Sequence, residues 1–242
     1  MKTAELIDDI RVYCRANADK KVVAKYSRYF TEGYDAYGLS REKYEAEVQS
    51  LIRDNKVTMK QVLSAAKPLI QSGKYEETSF AIGLLKEFAD QFDEKTFKKI
   101  EQWFTWGIIN WAHCDVLCGF LITPLLEKKL ITHQDFADWR RAQNTYQRRA
   151  VPVAMLPLLK TAKRYGPLFK FIDPLMMDSE KKVQQGLGWF LREAWKIKPK
   201  ETEIFLMKWK DQAPRTIFQY ATEKMTPAEK QKFRKSNNKG AM

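Results

Sequence analysis

The stretch NWAHCDVLCGFLITPLL, residues 110–126, carries a single formal charge, that of Asp115. It is the part of the chain that comes closest to a membrane span, which needs about 20 consecutive apolar residues. Besides Asp115, two polar side chains and a proline interrupt its apolar run: His113, Thr123 and Pro124. We therefore predict that residues 110–126 form a buried helix and that the protein has no membrane span.

Helical patterns continue on both sides of this stretch. The segment SREKYEAEVQSLIRDN begins with Ser40 as a helix cap, and DEKTFKKIEQWFTWG begins with Asp93 as a cap. Further along, DSEKKVQQGLGWFLREAWKIKP carries apolar residues at helical spacing. No strand pair with a hairpin signal occurs, and 10 Gly and 9 Pro in 242 residues are few for an all-β protein. The chain is therefore predicted to be all-α.

The connectors between these predicted helices are short, which favours antiparallel helix pairs. A string of such pairs predicts a right-handed-type solenoid of degenerate HEAT-like antiparallel helix pairs with a concave basic face. The pattern alone leaves a compact helical bundle open as the alternative. Because no linker is long enough to separate independent domains, residues 1–242 are predicted to form a single α-helical HEAT-like repeat domain, with a frayed basic tail from about residue 236.

The charge balance points to an anionic partner, because 43 Lys and Arg residues exceed 30 Asp and Glu residues by 13. Nucleic acid is the leading partner class. A membrane surface or an acidic protein is a weaker candidate, and plain solubility is the alternative without a partner. Three cysteines provide no paired disulfide framework, and the charged start MKTAELIDDIRVYC lacks the apolar core of a signal peptide. These features predict a cytoplasmic protein.

The basic residues are concentrated in one span, residues 139–172, which contains no Asp or Glu. Its eight cationic side chains are Arg140, Arg141, Arg148, Arg149, Lys160, Lys163, Arg164 and Lys170. A solvated helix face normally interleaves both signs of charge. The span is therefore predicted to present a positive field to a phosphate backbone. The alternative is that tertiary neighbours supply the missing acids.

Asp115 shares a face of its predicted helix with Trp111, four residues earlier, and with Cys118 one further turn along. Another stripe is predicted to face the core: Ile109, Ala112, Val116 and Phe120. An aspartate on a weakly hydrated aromatic surface exerts a strong field because little water screens it, and such a site can receive a cation. The alternative is a structural aspartate that caps a neighbouring helix or pairs with an arginine.

A metal site is not predicted. His113, Cys114 and Cys118 lie close together in the sequence, but His113 points away from the face that the two cysteines could share. The chain also lacks a Gly-rich phosphate loop, a serine nucleophile elbow and an HExxH motif. We therefore expect neither a metal nor a small-molecule cofactor.

Four stretches resemble, in the same order, segments of the AlkD-like DNA alkylation repair family. NWAHCD has the family's Trp-x-x-x-Asp spacing, and YFTEGYDAYGLSREKYEAEV resembles its amino-terminal aromatic-Gly turn and the helix that follows. QRRAVPVAM resembles the helix with the phosphate-contacting arginine, and GLGWFLREAWKIKP a late helix with the second active-site tryptophan. SREKY departs from the Pro and Arg that usually follow the turn. The resemblance implies a HEAT-repeat DNA glycosylase.

The resemblance also implies roles for individual residues. Asp115 would be the catalytic carboxylate, and Trp111 and Trp189 would flank the sugar and base of the lesion. Arg149 best matches the family's phosphate contact, with Arg148 as a close rival. The remaining residues predicted to bind DNA are Arg192, Lys160 and Lys163.

These assignments predict a monofunctional DNA N-glycosylase that hydrolyses the N-glycosidic bond of N3- and N7-alkylated purines in double-stranded DNA. Such a purine is cationic and already a good leaving group, so no strong general acid is needed. A fixed carboxylate can stabilise the oxocarbenium charge on the deoxyribose and orient a water. The protein is predicted to act as a monomer. The alternative is a non-catalytic HEAT-repeat protein that binds damaged or branched nucleic acid.

Overall fold

The computed structural model describes residues 2–236, and every regular element in that range is a helix. The α-helices are α1 (Thr3–Ala16), α2 (Lys20–Ser27), α3 (Arg41–Arg53), α4 (Met59–Gln71), α5 (Tyr75–Lys86), α6 (Glu94–Glu101), α7 (Trp103–Trp106), α8 (Trp111–Leu117), α9 (Thr123–Glu127), α10 (Thr145–Ala154), α11 (Leu158–Thr161), α12 (Gly166–Ile172), α13 (Lys181–Ile197), α14 (Pro199–Trp209), α15 (Arg215–Ala221) and α16 (Pro227–Gln231). The all-α prediction is confirmed. The tail predicted from about residue 236 falls in residues 237–242, outside the described residues.

Side-chain caps begin several of these helices, because the first backbone N–H groups of a helix have no partner within it. Ser40 caps α3 and Asp93 caps α6, as predicted, and their side-chain oxygens accept backbone N–H groups at 3.3 Å and 2.8 Å. Asn110 is a cap that the sequence pattern did not reveal. Its side-chain oxygen accepts the backbone N–H of His113 at 2.8 Å and so sets the start of α8.

The chain divides into two compact units, residues 1–132 and residues 133–242, and the single repeat domain stays a prediction. In the first unit, α4 packs against both α1 and α5. These three helices bury apolar side chains against one another, among them Leu6, Ile10, Val62, Leu69, Phe80 and Leu84. Full burial of one such side chain is worth about 1.5–3 kcal/mol, so the three helices carry much of the stability of this unit.

In the second unit, α13 is the central helix and packs against α10, α14 and α15. Its apolar residues recur at helical spacing and are buried: Val183, Leu187, Phe190, Leu191 and Ala194. Two glycines let neighbouring helices approach closely. A Cβ atom on Gly186 would lie 3.1 Å from Arg149 Cγ, and one on Gly188 would lie 2.4 Å from Tyr220 Cβ. The GLG motif therefore sets how closely α10 and α15 pack on α13.

Residues 111–127 form an uninterrupted helical run in which a π-helical segment, Cys118–Ile122, joins α8 to α9. Pro124 accounts for the wider turn, because it has no N–H for the Phe120 carbonyl and its ring would clash with that carbonyl in an α-helix. The backbone N–H of Thr123 donates to the Cys118 carbonyl, and the Thr123 hydroxyl donates to the same carbonyl at 3.2 Å. The predicted helix is thus confirmed, with a widened turn in its middle. No described helix is long and apolar enough to cross a membrane.

The prediction of which face of this helix is buried was wrong. Ile109, Val116 and Phe120 are 58%, 38% and 42% exposed. The side chains that the helix buries instead are Cys114, Leu117, Cys118, Leu121 and Ile122. Both faces are apolar in the sequence, so periodicity could not distinguish them, and packing against α5 selects the buried one.

Replacing Gly188 with Ala is expected to lower the free energy of unfolding by about 1–3 kcal/mol, the usual cost of an extra methyl group in a packed interior. The new Cβ would lie 2.4 Å from Tyr220 Cβ and 2.8 Å from the Ile217 carbonyl oxygen. Gly119→Ala is the control, because nothing lies within 4 Å of its Cβ position and alanine favours a helix. Urea denaturation measures both, and a Gly188→Ala protein as stable as the wild type would contradict the close packing.

Candidate active site

Trp111 is held in a fixed orientation at the start of α8. Its indole Nε1–H donates to the backbone carbonyl of Tyr29 at 3.2 Å. Its ring stacks on that of Phe30, with centroids 5.7 Å apart and planes inclined by 14°. The hydrogen bond fixes the edge of the indole, and the stacked ring fixes its plane.

The stacking continues away from Trp111 through a group of rings that we call the aromatic cluster: Trp111, Phe30, Tyr34, Tyr75 and His113. Phe30 stacks on Tyr34 at 4.7 Å, Tyr34 is tilted against Tyr75 at 5.0 Å, and Tyr75 stacks on His113 at 4.4 Å. Each aromatic pair adds about 0.5–1.5 kcal/mol beyond the burial of its area. The cluster ties the segment between α2 and α3 to the starts of α5 and α8.

A buried carboxylate fastens the segment that carries two of these rings. Glu76 is 4% exposed and accepts three backbone N–H groups. The donors are those of Tyr37 at 2.8 Å, Gly38 at 2.7 Å and Leu39 at 3.1 Å. Burying a carboxylate is costly unless hydrogen bonds compensate its charge. We call the three donor residues the anchored loop.

Two further features hold the anchored loop. Glu77, itself 2% exposed, accepts from the Tyr37 hydroxyl at 2.8 Å and from Arg11 Nε at 3.0 Å. Burial and the hydrogen bond to Glu77 raise the pKa of Tyr37, so the phenol keeps its proton and donates it. Gly38 has φ +88°, and a Cβ there would lie 2.2 Å from the Asp19 carbonyl oxygen. Only glycine fits this position.

His113 is a neutral, buried member of the aromatic cluster. Its Nδ1 lies 2.8 Å from Asn110 Nδ2, and its Nε2 lies 3.0 Å from Ser79 Oγ. The amide nitrogen can only donate, so Nδ1 accepts and Nε2 carries the proton. Burial lowers the pKa of His113 to about 3, although a hydrogen bond with the Tyr75 backbone opposes this. Within residues 2–236, no three His, Cys, Asp or Glu side chains are grouped as metal ligands.

A groove of about 980 Å³ opens beside Trp111 in the first unit. Its aromatic lining consists of Tyr26, Tyr29, Phe30, Tyr34, Tyr44, Tyr75, Trp111 and Phe120. Part of this lining faces solvent, since Tyr29 is 50% exposed and Phe120 is 42% exposed. Asp115 is partly buried one turn along α8 from Trp111. Aromatic π faces favour a cationic ligand in the groove. Asp115 shares α8 with Trp111 but is not among the residues that line the groove.

The other residues singled out by the resemblance lie in the second unit. Trp189 is partly buried on α13. Arg149, on α10, is 6% exposed, and its Nη1 donates to the Lys182 carbonyl at 2.7 Å. Its stem packs where Gly186 leaves room for it. The arginine that best matches the family's phosphate contact is therefore anchored on the helix that carries Trp189.

Two of the arginines predicted to bind DNA have acidic partners within the second unit. Arg148 Nε donates to Asp178 Oδ2 at 2.7 Å, and Arg148 Nη1 donates to two backbone carbonyl oxygens at 2.7 Å and 3.1 Å. Arg192 forms ion pairs with Glu193 at 3.0 Å and Glu223 at 2.5 Å. The charge of Arg148 is therefore compensated by Asp178, which lies outside the acid-free span of residues 139–172.

The other cations of that span are largely uncompensated. Five of them are exposed and form no salt bridge with any residue that the structure describes: Arg141, Lys160, Lys163, Arg164 and Lys170. Arg140 differs, because its guanidinium donates to the Phe171 carbonyl at 3.0 Å and lies over the Phe171 ring. The span thus contains both structural arginines and cations open to solvent.

Comparison with known proteins identifies the family. The sequence model of the DNA alkylation repair enzyme family matches residues 12–225, and the chain belongs to that family. The chain is also similar to a solved structure, described as a predicted DNA alkylation repair enzyme from Enterococcus faecalis, with 17% sequence identity and a TM-score of 0.74. The match covers 87% of this chain and 98% of the other. That likeness shows the all-α fold, in agreement with the fold class predicted from the sequence. A search of curated proteins found no match.

Replacing His113 with Gln is expected to make stability less dependent on pH. Burial lowers the pKa of His113 to about 3 in the folded protein, whereas an unfolded histidine titrates near 6.5. Between these values the unfolded chain binds a proton that the folded chain does not, so the wild type loses stability as the pH falls. From about pH 7 to about pH 4.5 the free energy of unfolding, measured by urea denaturation, should fall by about 2 kcal/mol less in the variant than in the wild type. An equal loss in both proteins would contradict a buried neutral imidazole.

Proposed function

We propose that this protein is a monofunctional DNA N-glycosylase that excises cationic N3- and N7-alkylated purines from double-stranded DNA. Membership of the DNA alkylation repair enzyme family supports the proposal. The observation that carries it is the indole of Trp111, fixed beside the groove one helical turn from Asp115. We also propose that the protein is cytoplasmic, acts as a monomer and needs no cofactor.

In this reaction Asp115 stabilises charge that appears on the sugar. The C1′–N bond breaks, and its electron pair leaves with the purine, which becomes neutral because alkylation had made it cationic. Positive charge develops on the deoxyribose as an oxocarbenium ion, and the Asp115 carboxylate stabilises it. The carboxylate also orients a water, whose oxygen attacks C1′ and whose proton passes to the carboxylate or to solvent. The products are an abasic site and the free alkylpurine.

Trp111 contributes a π face that attracts the same cationic region. Because its ring is already fixed by Phe30 and by the Tyr29 carbonyl, the indole needs no reorganisation when the substrate binds. The resemblance assigns a similar role to Trp189, and that assignment belongs to the proposal. The resemblance assigns a DNA phosphate contact to Arg149, which is 6% exposed and bonded to the Lys182 carbonyl, so its guanidinium would have to become accessible when DNA binds.

Binding of DNA would depend most on the cations that have no acidic partner. Lys160 and Lys163 are exposed and form no salt bridge among the described residues, so their charge is available to phosphates. Arg148 and Arg192 share their charge with acids at 2.7 Å and 2.5 Å, respectively, and contribute less to the field outside the protein.

A second candidate function is non-catalytic binding of damaged or branched nucleic acid. The exposed, uncompensated cations of the second unit favour it, since phosphate binding needs no active site. This function predicts salt-dependent DNA binding without release of a base from methylated DNA.

Replacing Asp115 with Asn is expected to slow release of 7-methylguanine and 3-methyladenine by about 100-fold or more, because the amide cannot neutralise the oxocarbenium charge. Single-turnover assays on methylated duplex DNA measure the release. Fluorescence anisotropy measures binding of undamaged DNA, which should be nearly unchanged. Glu127→Gln is the matched control, since Glu127 is an exposed carboxylate in the same helical run.

Three results of this experiment are informative. Release that is slowed by about 100-fold or more in Asp115→Asn and kept in Glu127→Gln supports the proposed role. Equal release by the wild type and Asp115→Asn removes Asp115 from the chemistry. No release by the wild type, together with salt-dependent DNA binding, favours the non-catalytic alternative.

Replacing Lys160 or Lys163 with Ala should weaken binding of undamaged DNA. The slope of log K against log salt concentration should become shallower by about 0.9 for each phosphate that the variant no longer neutralises. Stability should change by less than about 0.5 kcal/mol, because both side chains are exposed. Arg148→Ala is the contrast, since breaking its pair with Asp178 should cost about 3 kcal/mol of unfolding free energy. An unchanged salt slope in both lysine variants would rule out their binding to phosphates.

A further inference from the structure

Glu76 has no part in the chemistry proposed above, yet its buried carboxylate accepts three backbone N–H groups of the anchored loop. The anchored loop lies 37 to 39 residues before it in the sequence, so the contact is tertiary. Side-chain oxygens that cap helices accept N–H groups of their own first turn. Glu76, in the first turn of α5, serves a different segment of the chain.

A continuous series of contacts leads from Glu76 to Trp111. Four residues before Gly38, in the same segment, is Tyr34, whose ring stacks on Phe30 at 4.7 Å. Phe30 in turn stacks on Trp111, and the preceding carbonyl, that of Tyr29, accepts the indole N–H. The indole therefore has both its stacking partner and its hydrogen-bond acceptor in one segment, residues 29–30.

Residues 30–39 are held against α5 at several places. The Phe30 ring meets the Tyr75 ring edge-on at 5.5 Å, and Glu77 accepts from the Tyr37 hydroxyl at 2.8 Å. The Tyr75 backbone N–H donates to the Asp35 carbonyl at 2.8 Å, and the Glu76 carboxylate holds the anchored loop just beyond it. α2, which precedes the segment, buries none of its residues and gives little support from that side. The position of Phe30 and of the Tyr29 carbonyl therefore depends on the contacts with α5.

We propose that Glu76 is a positioning residue that, through the anchored loop and the stacked rings of Tyr34 and Phe30, sets the orientation of the Trp111 indole for base excision. The catalytic part of this inference rests on the glycosylase function proposed above. The structural part, control of the indole by Glu76, can be tested without any activity.

A glutamine cannot replace this carboxylate. One carboxylate oxygen accepts from Tyr37, and the other accepts from Gly38 and Leu39. Gln has a single side-chain oxygen, and its amide nitrogen can only donate. In Glu76→Gln at least one buried N–H would therefore face another donor and lose its partner. Glu76→Asp keeps the charge and both oxygens on a shorter side chain, so it should preserve most of the anchoring.

The first experiment observes the indole directly. The chain contains seven tryptophans, which can be labelled with 5-fluorotryptophan in the full-length protein, and the Trp111→Phe protein identifies the Trp111 signal in the 19F NMR spectrum. Glu76→Gln should shift or broaden the Trp111 signal and leave those of tryptophans outside the aromatic cluster in place. Glu94→Gln, which changes an exposed carboxylate in the first turn of α6, is the matched control and should leave all signals in place.

The second experiment connects the indole to the reaction by a double-mutant cycle. Glu76→Gln should slow single-turnover release of 7-methylguanine by about tenfold in the wild-type background. In the Trp111→Ala background the same change should slow release by less than about twofold, because the two residues act through one indole. A residue that only supports the fold would reduce the rate by the same factor in both backgrounds. Glu76→Asp should restore most of the wild-type rate.

The outcomes separate this inference from the proposed function. An unmoved Trp111 signal in Glu76→Gln, or a general change of all seven signals, overturns the inference whatever the activity is. Equal factors in the two backgrounds overturn its catalytic part. If the wild-type protein releases no base, the glycosylase proposal is wrong, and the 19F spectra still decide whether Glu76 controls the orientation of the indole. If Glu76→Gln does not fold, Tyr34→Leu takes its place, because it removes the ring that stacks on Phe30 at 4.7 Å. A change confined to the Trp111 signal then supports the inference, whereas an unmoved or general response overturns it.

Discussion

Three backbone N–H groups directed at the buried carboxylate of Glu76 are the constraint on which the candidate active site depends. A buried carboxylate with fewer donors would be strongly destabilised, so this arrangement leaves little freedom to the loop that supplies them. The loop and the Tyr75 ring together position Phe30, and Phe30 sets the plane of Trp111. The groove beside the indole is thus shaped by hydrogen bonds to a residue that takes no part in the proposed chemistry.

The cationic side chains of the second unit fall into two groups, those that bond to other parts of the protein and those that are exposed to solvent. Arg148 directs its hydrogen bonds to Asp178 and to backbone carbonyl groups, and Arg149 lies almost fully buried against α13. These arginines join α10 to its neighbours. Lys160 and Lys163 remain exposed, and their charge reaches into solvent, where it attracts anions. A basic composition therefore supports both the packing of the unit and its proposed affinity for DNA.

The helical run at residues 111–127 shows why the sequence could locate an element without orienting it. Apolar residues occupy both of its faces, and only burial decided that Cys114 and Leu117 face inwards while Val116 lines the groove. The structural role of His113 was also missed. Its partners, Ser79 and the Tyr75 ring, lie more than 30 residues away in the sequence. The sequence signal for the anchored loop was a pair of acids, Glu76 and Glu77, at the start of a helix whose next turns are mostly apolar.

By itself the sequence determined the all-α class, the caps at Ser40 and Asp93 and the i,i+4 spacing of Trp111 and Asp115. Four ordered motifs in it also indicated the DNA alkylation repair family, which comparison then confirmed. These features arise from interactions within a few residues of the chain, so a local pattern can record them. Only the tertiary structure decided which arginines acquire acidic partners, which rings stack on Trp111 and what Glu76 holds. Those contacts join residues that are about 30 to 80 positions apart, and no local pattern encodes which distant segment will meet another.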